Sequence, residues 1–198
     1  MHSAFIRTYV SFHNREHFFF NIKLWIVSFF KEIFLLRKNS FNGAIVMNAN
    51  PFTLGHRYLV EYASKKCDHL YVFVLQEDKS EFNYYDRINM VYQGVKDLKN
   101  VTVRPSGTNI ISEETFPEYF MKKELQDAKI NAYKDIESFA LSVAPVWGIT
   151  ERFFGEEPFD NVTRQYNEQM KKYLPIFSIN VVEIPRKIFE NEVISASR

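Results

Sequence analysis

From Ala44 onward, short apolar runs alternate with stretches whose apolar residues recur every three or four positions. Ala44-Ile-Val-Met47 is uninterrupted and apolar, as suits a strand buried on both faces. The spacing then predicts a helix from about His56 to Lys66, with Leu59, Tyr62 and Ala63 on one side. Leu70-Tyr-Val-Phe-Val-Leu75 reads as a second strand, rich in β-branched and aromatic residues. From Asp86 to Leu98, the residues Ile88, Val91, Val95 and Leu98 share a helical face. Val101-Thr-Val103 is a third strand, and a long helical region is expected from about Pro117 to Val143, ending in the stripe Ile136, Phe139, Ala140 and Val143. Arg152-Phe-Phe154 makes a fourth strand, Asn161 to Leu174 a helix bearing Tyr166, Met170 and Leu174, and Ile179 to Ile184 a fifth strand. Strands separated by helices imply right-handed crossovers, and so an α/β, Rossmann-like parallel sheet of five strands with helices on both faces. Ligands of such sheets sit at the carboxyl ends of the strands, where the strand order reverses.

The segment before this pattern, residues 1–42, is different. Phe18, Phe19, Phe20, Trp25, Phe29, Phe30 and Phe34 crowd together among basic residues. Lys23, Lys31 and Glu32 interrupt the apolar run, whereas a membrane span needs roughly 18 consecutive apolar residues. No small-residue cleavage site follows, which argues against a signal peptide. An amphipathic helix over about Phe18 to Leu36 is the expectation. Docking on the following domain and being the remnant of something longer are the favoured roles, ahead of membrane contact. Asn39, Ser40, Asn42 and Gly43 mark a break, and the domain proper is expected over 43–198.

Composition narrows the functional classes. The 198 residues suffice for one domain with an appendage. The hydrophobic fraction of 46% and the charged fraction of 25% are those of a globular chain. A net charge of +1 gives no general attraction for nucleic acid or an anionic membrane. Cys67 is the single cysteine, so an intramolecular disulfide and a cysteine-based zinc cluster are excluded, and a reducing, cytoplasmic setting is expected. There is no G-x-x-x-x-G-K-S/T phosphate loop, no G-x-G-x-x-G fingerprint and no G-x-S-x-G elbow.

The candidate chemistry lies just after the first strand, in Asn48-Ala-Asn-Pro-Phe-Thr-Leu-Gly-His56. A strand-to-helix turn presents unpaired amides and the positive end of a helix dipole to an anion. Asn50, Pro51, Phe52 and Gly55 are candidate nucleotide contacts, with Gly55 allowing close approach to the backbone. Thr53 and His56, three apart, can serve one pocket. The imidazole can donate to a phosphate oxygen that gains charge as a bond breaks, and the threonine hydroxyl can add a hydrogen bond. The bland alternative is a turn, a helix cap and a surface histidine.

With these residues in view, Gly43-Ala-Ile-Val-Met-Asn-Ala-Asn-Pro-Phe-Thr-Leu-Gly-His-Arg-Tyr-Leu59 resembles the nucleotidyltransferase domain of the citrate lyase ligase family. Thr53 to His56 is similar to the T/H-x-G-H signature of the wider adenylyltransferase superfamily. The resemblance continues through Phe82-Asn-Tyr-Tyr-Asp-Arg87, Ile110-Ile-Ser-Glu-Glu-Thr-Phe-Pro117, Phe154-Gly-Glu-Glu-Pro158, Val162-Thr-Arg-Gln-Tyr-Asn167 and Val182-Glu-Ile-Pro-Arg186. It ends in Ile194-Ser-Ala-Ser-Arg198, similar to the superfamily's I-S-x-S/T-R signature. It implies an ATP-dependent ligase that forms acetyl-adenylate from acetate. The acetyl group then passes to the thiol of a CoA-derived prosthetic group on the acyl-carrier subunit of citrate lyase, with AMP and pyrophosphate released. Mg²⁺ is expected to bridge the phosphates, with no protein metal ligand assigned. The alternatives are an adenylyltransferase acting on a phosphopantetheine-like substrate and a non-catalytic nucleotide-binding remnant. The family's N-terminal acyltransferase-like domain has no room here, and the chain looks trimmed at its C-terminus, where the superfamily continues with a helix.

Other candidates follow. The Arg198 guanidinium can clamp phosphate oxygens and help pyrophosphate leave, with hydroxyl help from Ser195 and Ser197. The plain alternative is a frayed chain end. Gly155, Glu156 and Glu157 follow the fourth strand, where they can meet adenosine or form an acidic turn. The resemblance places Arg164 and Asn167 near the acyl or carrier pocket, against the commoner fate of a solvated helix face. Arg87 can reach the nucleotide or, more in keeping with its neighbours, pair with Asp86 or another carboxylate. His69 and Cys67 are read as structural.

Overall fold

Alternate side chains along the strands feed two apolar layers, one on each face of a single sheet. The computed structural model describes residues 41–77, 79–122, 124–125 and 127–186, together with the backbone of 188–189 and 192–193. These fall in the second of the two units into which the chain divides, Arg37–Arg198. The expected helix over Phe18–Leu36 and the candidates Ser195, Ser197 and Arg198 lie outside the described residues.

Strand β1 (Asn42–Met47) leads into helix α1 (Leu54–Ser64), then β2 (His69–Val74), α2 (Tyr84–Val95) and β3 (Val101–Pro105). After a long connection come α3 (Tyr133–Ser138), a π-helical turn (Phe139–Val143), α4 (Ala144–Trp147), β4 (Ile149–Gly155), α5 (Asn161–Tyr173) and β5 (Asn180–Ile184). The five strands are parallel, in the order β3-β2-β1-β4-β5. Chain direction across the sheet reverses at β1 and β4, which opens a crevice between their carboxyl ends. The expected α/β sheet is therefore present, with its strands in the predicted segments.

One layer holds Ile45, Val60, Ala63, Leu70, Val72, Val91 and Phe153, contributed by the sheet, α1 and α2. The other holds Ala44, Phe73, Ile136, Phe139, Phe154, Tyr166 and Met170, from the sheet, α3, the π turn and α5. Gly43 is required by this packing, since a Cβ there would come within 2.6 Å of the Phe153 ring.

The long helix expected over Pro117–Val143 is not formed. A 3₁₀ turn covers Pro117–Met121, and regular α-helix resumes only at Tyr133. The physical reason lies on α5. Gln165 Oε1 accepts the Ile130 N–H at 3.1 Å and its Nε2 donates to the Ala128 carbonyl at 2.7 Å. Gln169 repeats the pattern one turn on, accepting the Ala132 N–H at 2.9 Å and donating to the Ile130 carbonyl at 3.1 Å. Two amide side chains at i and i+4 thus take up backbone groups that a helix would have paired internally. The apolar stripe Ile136, Phe139, Ala140 and Val143 keeps its core role, carried by α3 and the π turn. Among the described residues no helix is long and apolar enough to cross a membrane.

Candidate active site

A cavity of about 380 Å³ opens at the carboxyl edge, over the ends of β1 and β4. Its walls come from Asn48, Ala49 and Asn50 after β1, from Gly55 and His56 on α1, and from Gly155, Glu156 and Glu157 after β4. On the far side are Lys122, Arg152, Thr163, Tyr166, Asn167 and Arg186.

The loop after β1 is held by its neighbours. Asn50 Oδ1 accepts the Phe82 N–H at 2.9 Å, and Asn48 Nδ2 donates to Ser80 Oγ at 2.8 Å. Ala49 is buried with φ 52°, a left-handed bend that turns the chain into α1. Thr53 is the N-cap of α1. His56, at the third helical position, reaches back so that its Nδ1 accepts the Thr53 backbone N–H at 3.1 Å, in the manner of a capping box. A backbone N–H can only donate, so the neutral ring carries its proton on Nε2. Thr53 Oγ1 lies 2.9 Å from the same Nδ1 and so donates to it. Burial lowers the imidazole pKa from 6.5 to about 4, which keeps the ring neutral near neutral pH. The outcome is a fixed Nε2–H donor on the cavity wall, one turn from the amides of a helix N-terminus.

Phe52 and Pro51 do not line the cavity. The Phe52 ring stacks on His56, with centroids 5.7 Å apart and planes at 22°. It also rests on Gly94 of α2, where a Cβ would come within 2.3 Å of the ring. Thr53 and Phe52 therefore act on the ring of His56, from its Nδ1 edge and its face.

Arg87 lies away from the cavity and is fully buried. Its Nε donates to the Phe82 carbonyl at 3.0 Å, and Nη1 to the Asn48 carbonyl at 2.9 Å, Asn48 Oδ1 at 2.6 Å and the Leu75 carbonyl at 3.0 Å. Nη2 bonds the Glu77 carbonyl and stands 3.6 Å from the Glu77 carboxylate. Its carboxylate neighbour is Glu77 rather than Asp86, which is held by Asn83. Arg87 ties the ends of β1 and β2 to the start of α2, and so braces the loop that carries Asn50.

After β4, Glu157 Oε1 accepts the N–H groups of Phe159 and Asp160, and its Oε2 pairs with Arg186 at 3.0 Å. Glu156 is exposed and its carbonyl accepts from Arg186 Nε at 3.1 Å. Asn167 is buried and donates to the Gly155 carbonyl at 3.2 Å, within the cavity lining. Arg164 faces solvent, donates to Asn161 at 2.7 Å and lies outside the lining.

Sequence reasoning missed Lys122, Arg152 and Arg186 as cavity residues. Lys122 Nζ donates to Thr163 Oγ1 at 2.6 Å, and burial pulls its pKa down. Arg152 and Arg186 each carry a buried Nη1 without a hydrogen-bond partner among the described residues. The only sequence signal for Arg152 was a charged residue inside an otherwise apolar strand. Away from the site, Cys67 donates to the Ala63 carbonyl at 3.3 Å and burial raises its pKa to about 11, while His69 Nε2 contacts Thr102 at 2.9 Å. Among the described residues no group of three or more His, Cys, Asp or Glu is placed to hold a metal ion.

A doubly wound parallel sheet with a helix N-terminus, an imidazole and the cations Lys122, Arg152 and Arg186 around its switch-point cavity defines an α/β protein with its candidate site where ligands of such sheets sit. The chain belongs to the family described as the citrate lyase ligase C-terminal domain, whose profile matches residues 42–198. It is 48% identical over 160 residues to the citrate (pro-3S)-lyase ligase of Haemophilus influenzae, covering 78% of this chain and 48% of that protein. It is 45% identical over 161 residues to the protein of the same name from Escherichia coli K12, covering 79% of this chain and 46% of that one. The chain thus spans about half the length of the curated relatives it matches. Among solved structures, pantothenate synthetase from Thermus thermophilus superposes with a TM-score of 0.48 at 16% identity, over 84% of this chain and 64% of that one.

Proposed function

We propose that the chain binds ATP in the switch-point cavity and activates a small acid, acetate in the family reading, as its adenylate, from which the acetyl group passes to a carrier thiol. The observation that carries this reading is the imidazole of His56 in the cavity wall: its Nδ1 edge is occupied by Thr53, its neutral state is held by burial, and its Nε2–H has no hydrogen-bond partner among the described residues. A carboxylate oxygen attacks the α-phosphorus, and the bond to pyrophosphate breaks with its electron pair going to the leaving group. Charge accumulates on the phosphate oxygens in that step, where a preorganised donor acts most strongly. Gly55 and the amides at the start of α1 would receive the same phosphates. In the second step the carrier thiolate attacks the acyl carbon and AMP leaves.

The family relationship supports the remaining assignments. Asn50, Gly155 and Glu156 border the cavity and are proposed nucleotide contacts, as are Ser195, Ser197 and Arg198 on the resemblance of the closing motif. Asn167, in the wall, is the proposed contact toward acyl group or carrier. Mg²⁺ would be held chiefly by the phosphates, where it supplies charge neutralisation. The partner proposed is the citrate lyase acyl carrier with its CoA-derived prosthetic group.

The test is acid-dependent ATP–pyrophosphate exchange. His56→Ala should lower it by about 100- to 1000-fold while the circular dichroism spectrum and unfolding midpoint stay close to those of the parent. Exchange at the parental rate in that variant would overturn the assignment.

A further inference from the structure

Arg152 sits in the middle of β4, is 3% exposed, and faces the layer formed by α3 and α5 rather than solvent. Its guanidinium lies 4.8 Å from the Phe139 ring centroid and interacts with Tyr166 and Asp135. Asp135 is already well occupied, accepting from the Ile111 N–H at 2.5 Å, from Thr115 Oγ1 at 2.7 Å and from the Tyr166 hydroxyl at 2.6 Å. That leaves Nη1 of Arg152 buried with no partner among the described residues. An unsatisfied donor on a buried cation is costly, and such groups call for an explanation.

The same arginine belongs to the cavity wall. Apolar residues of the same layer, Phe154 two positions along β4 and Met170 one turn beyond Tyr166 on α5, also line the wall. Arg152 also stands on the opposite side of the sheet edge from His56. The histidine rides on α1, whose Val60 and Ala63 pack in one layer, while Tyr166 and Met170 beside the arginine pack in the other. The cavity therefore has one end on α1, where the proposed phosphate site lies, and a second end where Arg152 stands beside Phe154, Met170 and the polar side chains of α5.

We infer that Arg152 is the anchor for the carboxylate of a short monocarboxylic acid, whose apolar tail fills the hydrocarbon wall beside it. This deepens the adenylate-forming reading by naming the acid's subsite. A guanidinium edge matches a carboxylate, and the unpartnered Nη1 is the donor that a carboxylate oxygen would satisfy. A phosphate of higher charge would meet the Asp135 carboxylate and dry walls.

The experiment uses the full chain. Binding of ¹³C-labelled acetate is followed by its relaxation, with and without α,β-methylene-ATP, and binding of that nucleotide is measured by calorimetry. Arg152→Gln removes the charge. Arg152→Lys keeps a cation beside Asp135 and so protects the fold. Both variants should weaken acetate binding by about tenfold or more and leave nucleotide affinity unchanged, and inorganic phosphate should not displace acetate from the parent chain. Absence of acetate binding to the parent chain, displacement by phosphate, unaltered acetate affinity in Arg152→Lys, or parallel loss of acetate and nucleotide would each overturn the inference. Failure of the parent chain to bind the nucleotide would instead defeat the ATP reading, and the acetate arm without nucleotide would still decide the role of Arg152.

Discussion

The Thr53 backbone N–H can bond to His56 Nδ1 only while that nitrogen keeps its lone pair, so protonating the ring breaks a helix cap as well as burying a charge. The unfolded imidazole titrates near 6.5 and the folded one near 4. Between those values the unfolded chain binds the additional proton, and stability must fall as pH falls through the window. Glutamine at position 56 can accept the same N–H without titrating. The stability of the parent relative to His56→Gln should therefore drop by up to about 3 kcal/mol on going from about pH 7 to about pH 4, read by urea unfolding at both values. A constant difference would show that the ring is not held neutral by burial. Gly155 offers a second test. A Cβ there would meet no atom within 4 Å, and its φ is not in the left-handed region. Gly155→Ala should leave the unfolding midpoint alone and weaken ATP binding by about tenfold, or 1.4 kcal/mol, in calorimetry. A lowered midpoint with unchanged affinity would remove Gly155 from the nucleotide pocket. The histidine was legible in the sequence because strand, turn and helix spacing put it at a helix N-terminus. Arg152 was not, because periodicity marks the faces of a strand but does not say which buried position tolerates a cation.

At the level of elements, the strands could be read because each is a short apolar run, and α1, α2 and α5 because each carries one apolar stripe. The connection over 117–132 could not, because its conformation is decided by partners distant in sequence. Gln165 and Gln169 look like ordinary polar positions of an amphipathic helix, yet each makes two hydrogen bonds to the irregular backbone of 128–132. This segment carries Lys122 toward Thr163 and the cavity. Gln169→Ala leaves the Ala132 N–H and the Ile130 carbonyl without their partner, and Gln165→Ala leaves the Ile130 N–H so while Asn161 still donates to the Ala128 carbonyl, each at a cost of about 1–3 kcal/mol. The double variant should lower the unfolding midpoint further and speed amide hydrogen exchange at Ile130 and Ala132. Unchanged protection at those two amides would mean that the side-chain ladder does not hold the segment.

Across the whole molecule, the placement of the cavity follows from the winding of the sheet. β1 and β4 are neighbours, but the chain leaves β1 toward one face and edge and reaches β4 only after crossing to the other. Their carboxyl ends therefore diverge, and side chains from both layers meet over the gap. Among the described residues, the cavity wall runs from Val46 to Arg186, and both faces of the sheet are covered by clusters drawn from residues 44–184. Arg87 ties the edge together from within the same unit. The described walls and bracing of the proposed nucleotide pocket belong to the unit Arg37–Arg198, and on that reading a chain beginning at Arg37 should fold and bind ATP with the affinity of the full chain. Calorimetric titration of the two side by side is the check. Equal affinities would show that residues 1–36 are not needed for ATP binding, whereas a loss on removing them would show that the preceding segment contributes to it.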